Sequence, residues 1–441
     1  MFIGRINKAL QVEISKIFAF GESTKGRNPF SRVFLISEKV VRRLPKKVYY
    51  VTKRIIEDPS FVRLVRRLKT YEATIRFLTP LNWVLVILRR NVKYENSVLH
   101  ISYMVHIPYY TTRLLRKFGM KADYLALENG SPIWNKSDYL FLPSHVPFLK
   151  ALEEFWFFWK VMAKYEIIHC HFSRRLTQSG WELPLLKRMG RKIVVHSRGC
   201  EVRNREKNVL LHPECNICQE CDYNAKICTD EVRADLCKKA RKYGDLFLVT
   251  TPDMKDFVPD AIYFPFFLPQ IDYQDYVRLQ DSRRGQGSFK IVHVTGHPGI
   301  EGTARIKTAI DNLQKKGYPI HFLPLHGVSH DRVLREIASS DLTIGKLKMG
   351  YYANAQIESM FLGVPAITYV RPEFMNEELE NSGFIFSTLQ DLEKTLEHYL
   401  GNPAEIQKKR KIARSSILQL HDDEKLGRWL ITLYESIKRE S

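Results

Sequence analysis

From residue 289 onward, apolar runs of strand length alternate with segments of helical periodicity. The runs read KIVHVT, IHFLPL, DLTIG and PAITYV, and the helices predicted between them cover residues 303–316, 330–339 and 353–362. A strand, a helix and another strand in succession build a parallel sheet with helices on its faces. The loops that follow the strands then meet at one edge of the sheet, where such folds bind ligands. The order predicts an α/β domain with a binding site at that edge.

The same order begins earlier in the chain, at Ser97. SVLHISYM is a predicted strand, HIPYY a loop, TTRLLRKFG a helix and KADYLALENG the next strand. Further predicted strands are EIIHCHF, KIVVHSRGCEVR, DLFLVT and IYFPFFLP. A chain of 441 residues is too long for one core and fits two domains. We therefore predict a second α/β domain upstream of the first, with a polar, glycine-containing linker between them.

The predicted boundaries follow from these patterns. The segments are an N-terminal extension at 1–94, an α/β domain at 95–268 with a cysteine-rich insertion at 212–230, a linker at 269–288, an α/β domain at 289–402 and amphipathic helices at 403–441.

The stretch YANAQIESMFLGVPAITYV carries the strongest local signal for a function. A helix opens after a turn, presents Glu358 on its first turns and stops at Gly363, and Pro365 starts a strand. Free N–H groups at a helix start suit a phosphate, and a carboxylate one turn further accepts hydrogen bonds from two ribose hydroxyls. An ordinary helix–turn–strand junction is the alternative, since glycine ends helices and proline cannot continue them.

The order Glu, small residue, apolar pair, Gly, apolar residue, Pro, apolar run resembles the nucleotide-sugar motif of GT-B glycosyltransferases, above all the retaining enzymes of family four. The resemblance extends over residues 97–440, about three quarters of the chain. It implies two Rossmann-like domains facing a cleft, a nucleotide-diphosphate sugar held by the second and an acceptor held by the first. It also implies transfer with retention, no obligatory cofactor, and a C-terminal helix that packs back on the first domain.

The resemblance also implies candidate catalytic residues in the first domain. His196, Ser197 and Arg198 match the loop that follows a strand in this family, and His106 lies in the first loop. At a strand end, His196 is placed to orient a sugar hydroxyl and Arg198 to contact a phosphate. A structural histidine that caps the strand end is the alternative for His196.

The predicted nucleotide-sugar site draws on the loops after the strands of the second domain. Its members are Glu358, Gly296, His297, Thr303, Val328, Lys346, Lys348, Tyr351, Tyr352 and Asn354. Lys346 and Lys348, on the loop that leads to the Glu358 helix, are the candidates to neutralise the diphosphate, with His297 and the N–H groups at 302–304 as further contributors. Solvated side chains are the alternative role of the two lysines.

Three positions depart from the family's pattern. The family has two carboxylates in a Glu-x7-Glu arrangement, and Gly350 stands at the first of them. Glu301 stands where a lysine is usual in the loop after the first strand of this domain, and no arginine occupies its expected place there. These departures keep open a catalytically silent protein that binds a glycan or supports a partner, or another activity such as a sugar-nucleotide epimerase.

Positive charge is concentrated at the N-terminus. The chain carries a formal charge of +21, and residues 1–94 hold 21 Lys and Arg against six acids. Segments such as FVRLVRRLK suit a helix lying on an anionic membrane surface, with a solvated basic face and nucleic acid as the alternatives. No helix-turn-helix, zinc-finger or RNA-binding signature is present, so we predict no nucleic-acid partner.

These features lead to an expected location and acceptor. The longest uncharged apolar candidate, Leu81–Leu88, is too short to span a bilayer, and the first residues lack a secretion signal. We expect a cytoplasmic protein, peripheral on the inner face of the membrane, with a lipid-linked or polysaccharide acceptor.

The cysteines form a second cluster of possible ligands. Four of the seven lie in one loop, at Cys215, Cys218, Cys221 and Cys228. Four thiolates satisfy a tetrahedral structural zinc, the tight spacing of the first three also fits an iron–sulfur cluster, and unliganded thiols or disulfides are the third possibility.

Overall fold

The computed structural model describes residues 70–89, 92, 94–103, 106–127, 137–172, 175–177, 179–223, 238–268, 271–281 and 287–439. The chain divides into two compact units. The first comprises residues 1–81 and 144–153, and the second comprises residues 82–143 and 154–441. In the first unit the Ser144 N–H donates to Glu153 at 2.6 Å, and the Lys150 ammonium lies 5.8 Å from the Tyr71 ring centroid. The predictions for residues 1–69 lie outside the described residues.

All strands of the first sheet are parallel. They are β1 Ser97–Ser102, β2 Lys121–Ala126, β3 Tyr139–Leu140, β4 Ile167–His171, β5 Lys192–Ser197, β6 Leu246–Val249 and β7 Ile262–Tyr263. The spatial order is β3-β2-β1-β4-β5-β6-β7. Chain order reverses between β1 and β4, so the loops after these strands open a crevice at their carboxyl ends. The register aligns His100 with His169 and His171 with His196.

One helix precedes the first strand, and further helices lie between strands. They are α1 Tyr71–Arg89, α2 His106–Lys117, α3 Pro147–Lys160, α4 Glu182–Arg188 and α5 Arg205–Leu211. The prediction of a loop at HIPYY was wrong, because α2 begins at His106 and includes Pro108. Proline is tolerated in the first turn of a helix, where its missing N–H would have no helical partner.

The second sheet is smaller and also parallel. Its strands are β8 Phe289–Val294, β9 Ile320–Leu325, β10 Leu342–Ile344, β11 Ala366–Thr368 and β12 Ile385–Phe386, in the order β12-β11-β10-β8-β9. The helices of this half are α6 Gln274–Asp281, α7 Pro298–Glu301, α8 Thr303–Lys315, α9 His330–Ala338, α10 Asn354–Phe361, α11 Glu377–Glu380 and α12 Leu392–Gly401. The predicted linker 269–288 contains α6, whose buried Tyr276 packs beside Val333.

Two long helices end the chain, α13 Pro403–Leu420 and α14 Asp423–Arg439. Leu430 and Tyr434 of α14 pack with Val98 and Ile167, which belong to strands of the first sheet. The C-terminal helix therefore covers one face of the first sheet, on the side where the histidine side chains of β1, β4 and β5 lie. Among the described helices, none is both long enough and apolar enough to cross a lipid bilayer.

Candidate functional site

Four buried histidines occupy neighbouring strands of the first sheet. His100 Nδ1 lies 2.9 Å from His171 Nε2, and His169 Nε2 lies 3.1 Å from His196 Nδ1. Tyr434 of α14 reaches His169 Nδ1 at 2.6 Å. We call these five residues the histidine network. Their side chains lie together because the parallel register places His100 beside His169 and His171 beside His196, on one face of the sheet.

Arg198 fixes the direction of the hydrogen bonds in this network. Its Nε and Nη2 groups donate to His171 Nδ1 at 3.0 and 2.8 Å. An arginine only donates, so the neutral His171 ring carries its proton on Nε2 and donates to His100 Nδ1. The remaining proton of His100 is then on Nε2, a buried atom with no hydrogen-bond partner among the described residues.

Burial keeps the network neutral. It lowers the pKa of His100 to about 3, with the Arg198 charge acting in the same direction. Burial is also the main cause that lowers the pKa values of His169, His171 and His196 well below the usual range. In this part of the chain His100, His169 and His171 have ring nitrogens within 4.8 Å of one another, close enough to share a metal ion. The Arg198 guanidinium beside His171 opposes a cation there.

His196 and Arg198, two of the residues predicted to be catalytic, hydrogen-bond to other side chains of the protein. His196 is 2 % exposed, with Nδ1 facing His169 and Nε2 lying 3.3 Å from the Thr250 hydroxyl, so it offers a sugar no free ring nitrogen. Arg198 is half-buried and its described donors point to His171, His196 and Thr250, so it holds the network together. His106 is the first residue of α2, and its side chain lies outside the described residues.

Glu358 lies where the sequence predicts it, on α10 at the carboxyl edge of the second sheet. Its side chain is buried, and Oε1 accepts a hydrogen bond from His330 Nε2 at 2.9 Å. This hydrogen bond raises the pKa of His330. Burial and, next, the Glu358 charge raise the pKa of Tyr110 on α2. Glu358 therefore acts electrostatically on a helix of the first sheet.

The other residues predicted to bind the donor separate into two groups. Gly296 is exposed, and Val328 and Asn354 are partly exposed in loops or at a helix start at the same edge. The Thr303 hydroxyl lies 2.9 Å from His293 Nε2.

Tyr351 and Tyr352 belong instead to an apolar cluster in the core of the second half. The Tyr352 hydroxyl contacts His421 at 3.0 Å, and Tyr351 accepts from Tyr263 at 3.3 Å. The prediction that these two rings contact a nucleotide sugar was wrong, because packing and hydroxyl partners place them inside the protein.

The cations predicted to meet a diphosphate contact carboxylates. Lys346 lies 3.4 Å from Glu301, which explains how a buried glutamate is tolerated where a lysine was expected. Lys348 is 4 % exposed, and its ammonium lies 2.8 Å from Glu220 and 3.0 Å from the Gly299 carbonyl.

Glu220 belongs to residues 212–223, which we call the cysteine loop. Asp222 of this loop accepts from the Gly299 N–H at 3.0 Å and lies 3.7 Å from His297 Nδ1. The Tyr223 ring stacks on His297 with 4.0 Å between ring centroids. The cysteine loop thus covers the groups of the second half that the sequence assigns to a diphosphate.

The thiols do not converge as predicted. The Cys215 Sγ donates to the Leu347 carbonyl at 3.1 Å, whereas Cys218 and Cys221 share a small cavity with Cys200. Cys228 lies outside the described residues. Within the described ranges these thiols do not come close enough to share one ion. Three of the four predicted zinc ligands therefore do not converge on one ion in the described part of the chain.

Gly350, at the position of the missing carboxylate, lies against an arginine. Its φ is +82°, and a Cβ added there would approach Arg371 Cγ to 2.7 Å. The Arg371 Nη1 group donates to His212 at 2.7 Å and to Asp256 at 2.9 Å. Its Nη2 and Asp253 Oδ1 are buried without a hydrogen-bond partner among the described residues, and both residues line a cavity that also contains Lys348.

Comparisons with known proteins agree with this architecture. No protein-family model matches the sequence, and no curated protein matches it significantly. Among solved structures, HepE from Anabaena in complex with UDP-glucose matches with a TM-score of 0.53 and 10 % identity, over 77 % of this chain and 99 % of its own. A glycosyltransferase from Rickettsia africae matches with a TM-score of 0.51 and 11 % identity, over 79 % of this chain and all of its own. The chain has the GT-B fold. That confirms the α/β class predicted from the alternation of strands and helices, and the GT-B architecture implied by the resemblance of the Glu358 motif.

Within the GT-B fold, sequence reasoning missed Arg371 and two carboxylates of the cysteine loop, Glu220 and Asp222. Arg371 directly follows the run PAITYV, and residues just past a parallel strand lie at the ligand edge, so its position was a usable signal. Glu220 and Lys348 are 128 residues apart, and no local pattern predicts their pairing.

Proposed function

We propose that the chain is a glycosyltransferase that uses a nucleotide-diphosphate sugar as donor. The observation that carries this proposal is Glu358, a carboxylate 7 % exposed on α10, at the ligand edge of the second sheet of a GT-B fold. A buried carboxylate needs hydrogen-bond donors, and His330 supplies one to Oε1. Two ribose hydroxyls are suitable donors for the remaining acceptor positions.

A thermal-shift panel of UDP, GDP and ADP tests this proposal. HepE was solved with UDP-glucose, which makes UDP the first nucleotide to test. We expect one nucleotide to raise the melting temperature of the wild-type protein and to raise that of Glu358→Ala much less. No shift with any nucleotide would overturn the proposal.

The reaction we propose is transfer with retention at the anomeric carbon. The leaving diphosphate gains negative charge as the sugar departs, and cations held in a water-poor cleft stabilise that charge best. Lys348 and Lys346 are the cations proposed for this task, and Arg371, buried beside Lys348, adds a positive charge to the same region. The acceptor would bind on the side of the first sheet, above the histidine network.

We further propose that the protein works on the cytoplasmic face of a membrane, on a lipid-linked or polysaccharide acceptor. The exposed side of α1 supports this proposal, because it presents large apolar side chains at helical spacing. They are Phe77, Leu81, Val84, Ile87 and Leu88. Together with 21 Lys and Arg in residues 1–94, this face suits an anionic lipid surface.

Vesicle sedimentation at low salt tests the location. We expect the protein to sediment with anionic vesicles and much less with neutral vesicles, and Ile87→Asp to reduce the bound fraction. Ile87 is 73 % exposed, so the substitution leaves the core intact. Equal recovery with both kinds of vesicle would contradict the proposal.

A structural metal in the cysteine loop is a separate proposal, with zinc or an iron–sulfur cluster as the candidates. Cys218 and Cys221 line one cavity with Cys200, and binding an ion there would require these thiols to move closer together than they lie in the structure. Metal analysis of the purified protein decides it: less than 0.1 equivalent of zinc or iron would contradict the proposal.

Two departures from the family's pattern favour a second candidate, a catalytically silent GT-B protein. Arg371 packs against Gly350 where the family has a carboxylate, and Glu301 replaces a lysine. A silent protein should bind no nucleotide and should be indifferent to Lys348→Ala, whereas a transferase should lose turnover with that variant.

A further inference from the structure

Positive and N–H groups of the second half converge on two carboxylates of the cysteine loop. Glu220 accepts from Lys348 at 2.8 Å and lies 3.9 Å from Arg305. Asp222 accepts from the Gly299 N–H at 3.0 Å. The two carboxylates are two residues apart in sequence, and Glu220 contacts Lys348, one of the cations to which the proposed function assigns the donor's diphosphate.

Lys348 and Glu220 are buried to very different extents, and the difference indicates which of the two side chains can leave the contact. The Lys348 side chain is 4 % exposed, whereas the Glu220 side chain is 47 % exposed. A buried ammonium needs an anion close by, while a half-exposed carboxylate returns to water at little cost. The lysine is therefore the permanent part of an anion site, and Glu220 is an exchangeable occupant.

The contacts that hold the cysteine loop in place are non-covalent. The Cys215 thiol donates to the Leu347 carbonyl, and Tyr223 stacks on His297. The loop backbone passes so close to Gly299 that a Cβ added there would lie 2.0 Å from the Glu220 carbonyl oxygen. Each of these contacts can be broken and reformed without breaking a covalent bond.

We infer that the cysteine loop is an autoinhibitory strap that competes with the diphosphate of the donor. Glu220 and Asp222 occupy the anion site formed by Lys348, Arg305 and the Gly299 N–H, and they leave it when a diphosphate binds. The inference rests on the proposed function, since it takes the diphosphate to belong to a nucleotide sugar. Only the molecules in which the strap has left the anion site can bind the ligand. The apparent dissociation constant is therefore the intrinsic one divided by the fraction of such molecules.

Calorimetric titration of the full-length protein with UDP, and separately with inorganic pyrophosphate, tests the inference. The test variants are the double variant Glu220→Gln/Asp222→Asn and, without any change of charge, Gly299→Ala. The matched control is Glu214→Gln, which removes an exposed carboxylate from the same loop. We expect both test variants to bind UDP and pyrophosphate about tenfold more tightly than wild type, and the control to bind within twofold of wild type.

A second readout is independent of affinity. Cys215 donates to Leu347 only while the strap is closed, so saturating UDP should speed its labelling by maleimide, followed by mass spectrometry of the peptide. The double variant should label fast without UDP.

The outcomes separate the strap from the proposed function. If UDP binds wild type and both test variants equally, the strap is refuted and the proposed function stands. If pyrophosphate binds the variants more tightly but no nucleotide binds any protein, the strap stands as a cover of an anion site and the proposed function fails. Absence of binding by both probes to the double variant overturns both.

Discussion

Acidification should destabilise this protein through histidines that are buried in their neutral form. His100 has its pKa lowered to about 3 and His421 to about 4, in both cases mainly by burial. His421 Nδ1 donates a hydrogen bond to the Phe266 carbonyl at 2.6 Å, and Nε2 accepts one from the Tyr352 hydroxyl. Neither ring nitrogen is therefore open to water. As pH falls below about 6.5, these histidines become protonated in the unfolded chain but stay neutral in the folded chain, so acid favours the unfolded state.

The size of the effect follows from the two pKa values. Each of these two histidines lowers the free energy of unfolding by about 2 kcal/mol between pH 7 and pH 5. From about pH 6.5 down to pH 5 the group is protonated in the unfolded chain, whereas its folded-state pKa is still lower than the pH. His100 and His421 together therefore remove about 4 kcal/mol over that interval, a large part of the typical stability of a domain. His169, His171 and His196 act in the same direction, since burial lowers their pKa values too.

Urea denaturation at pH 7 and pH 5, followed by circular dichroism, measures this loss. His421→Gln should reduce the loss between the two pH values by about 2 kcal/mol, because one buried titrating group is gone. His398→Gln is the matched control: the His398 side chain is 53 % exposed, and its removal should change the loss by less than about 0.5 kcal/mol. A free energy of unfolding that differs by less than about 1 kcal/mol between pH 7 and pH 5 would refute the reasoning.

Two further substitutions test the packing around the site. Tyr434→Phe removes the hydroxyl that forms a hydrogen bond with His169 Nδ1 and leaves that buried nitrogen unpaired, so we expect a loss of about 1–3 kcal/mol in urea denaturation. A loss below about 0.5 kcal/mol would show that the hydrogen bond does not order the network. Gly350→Ala should cost about 1–3 kcal/mol more than Gly119→Ala, because both glycines have φ +82° but only the first would bring a Cβ against Arg371. Equal costs would mean that Arg371 moves freely out of the way.

Much of the fold could be predicted because its signal is local. Apolar runs such as KIVHVT and PAITYV form strands wherever helices can cover both faces, and Gly363 and Pro365 mark a helix end and a strand start. The helix at 274–281 was missed because its mostly polar sequence resembles a linker, and burial of Tyr276 fixes it only in the folded protein.

The site could be predicted only in part. Glu358 follows from a motif whose spacing is read along one helix. Tyr351 and Tyr352 are adjacent to that motif, yet sequence position does not tell whether a tyrosine hydroxyl faces a ligand or another buried side chain. The contact of Glu220 with Lys348 depends on how a long insertion packs against distant loops. Periodicity in a sequence predicts helices and strands, but it does not predict contacts between loops that are far apart in the chain.

The most direct test of the central claim is calorimetric titration of the wild-type protein and Glu358→Ala with the nucleotide identified by the thermal-shift panel. Removing the carboxylate leaves ribose hydroxyls unpaired, so we predict a loss of about 1–3 kcal/mol in binding, or roughly 5- to 150-fold in the dissociation constant. Glu378→Ala, which removes an exposed carboxylate of the same half, should bind as tightly as wild type. Equal affinity of the wild-type protein and Glu358→Ala would remove Glu358 from the site and contradict the account.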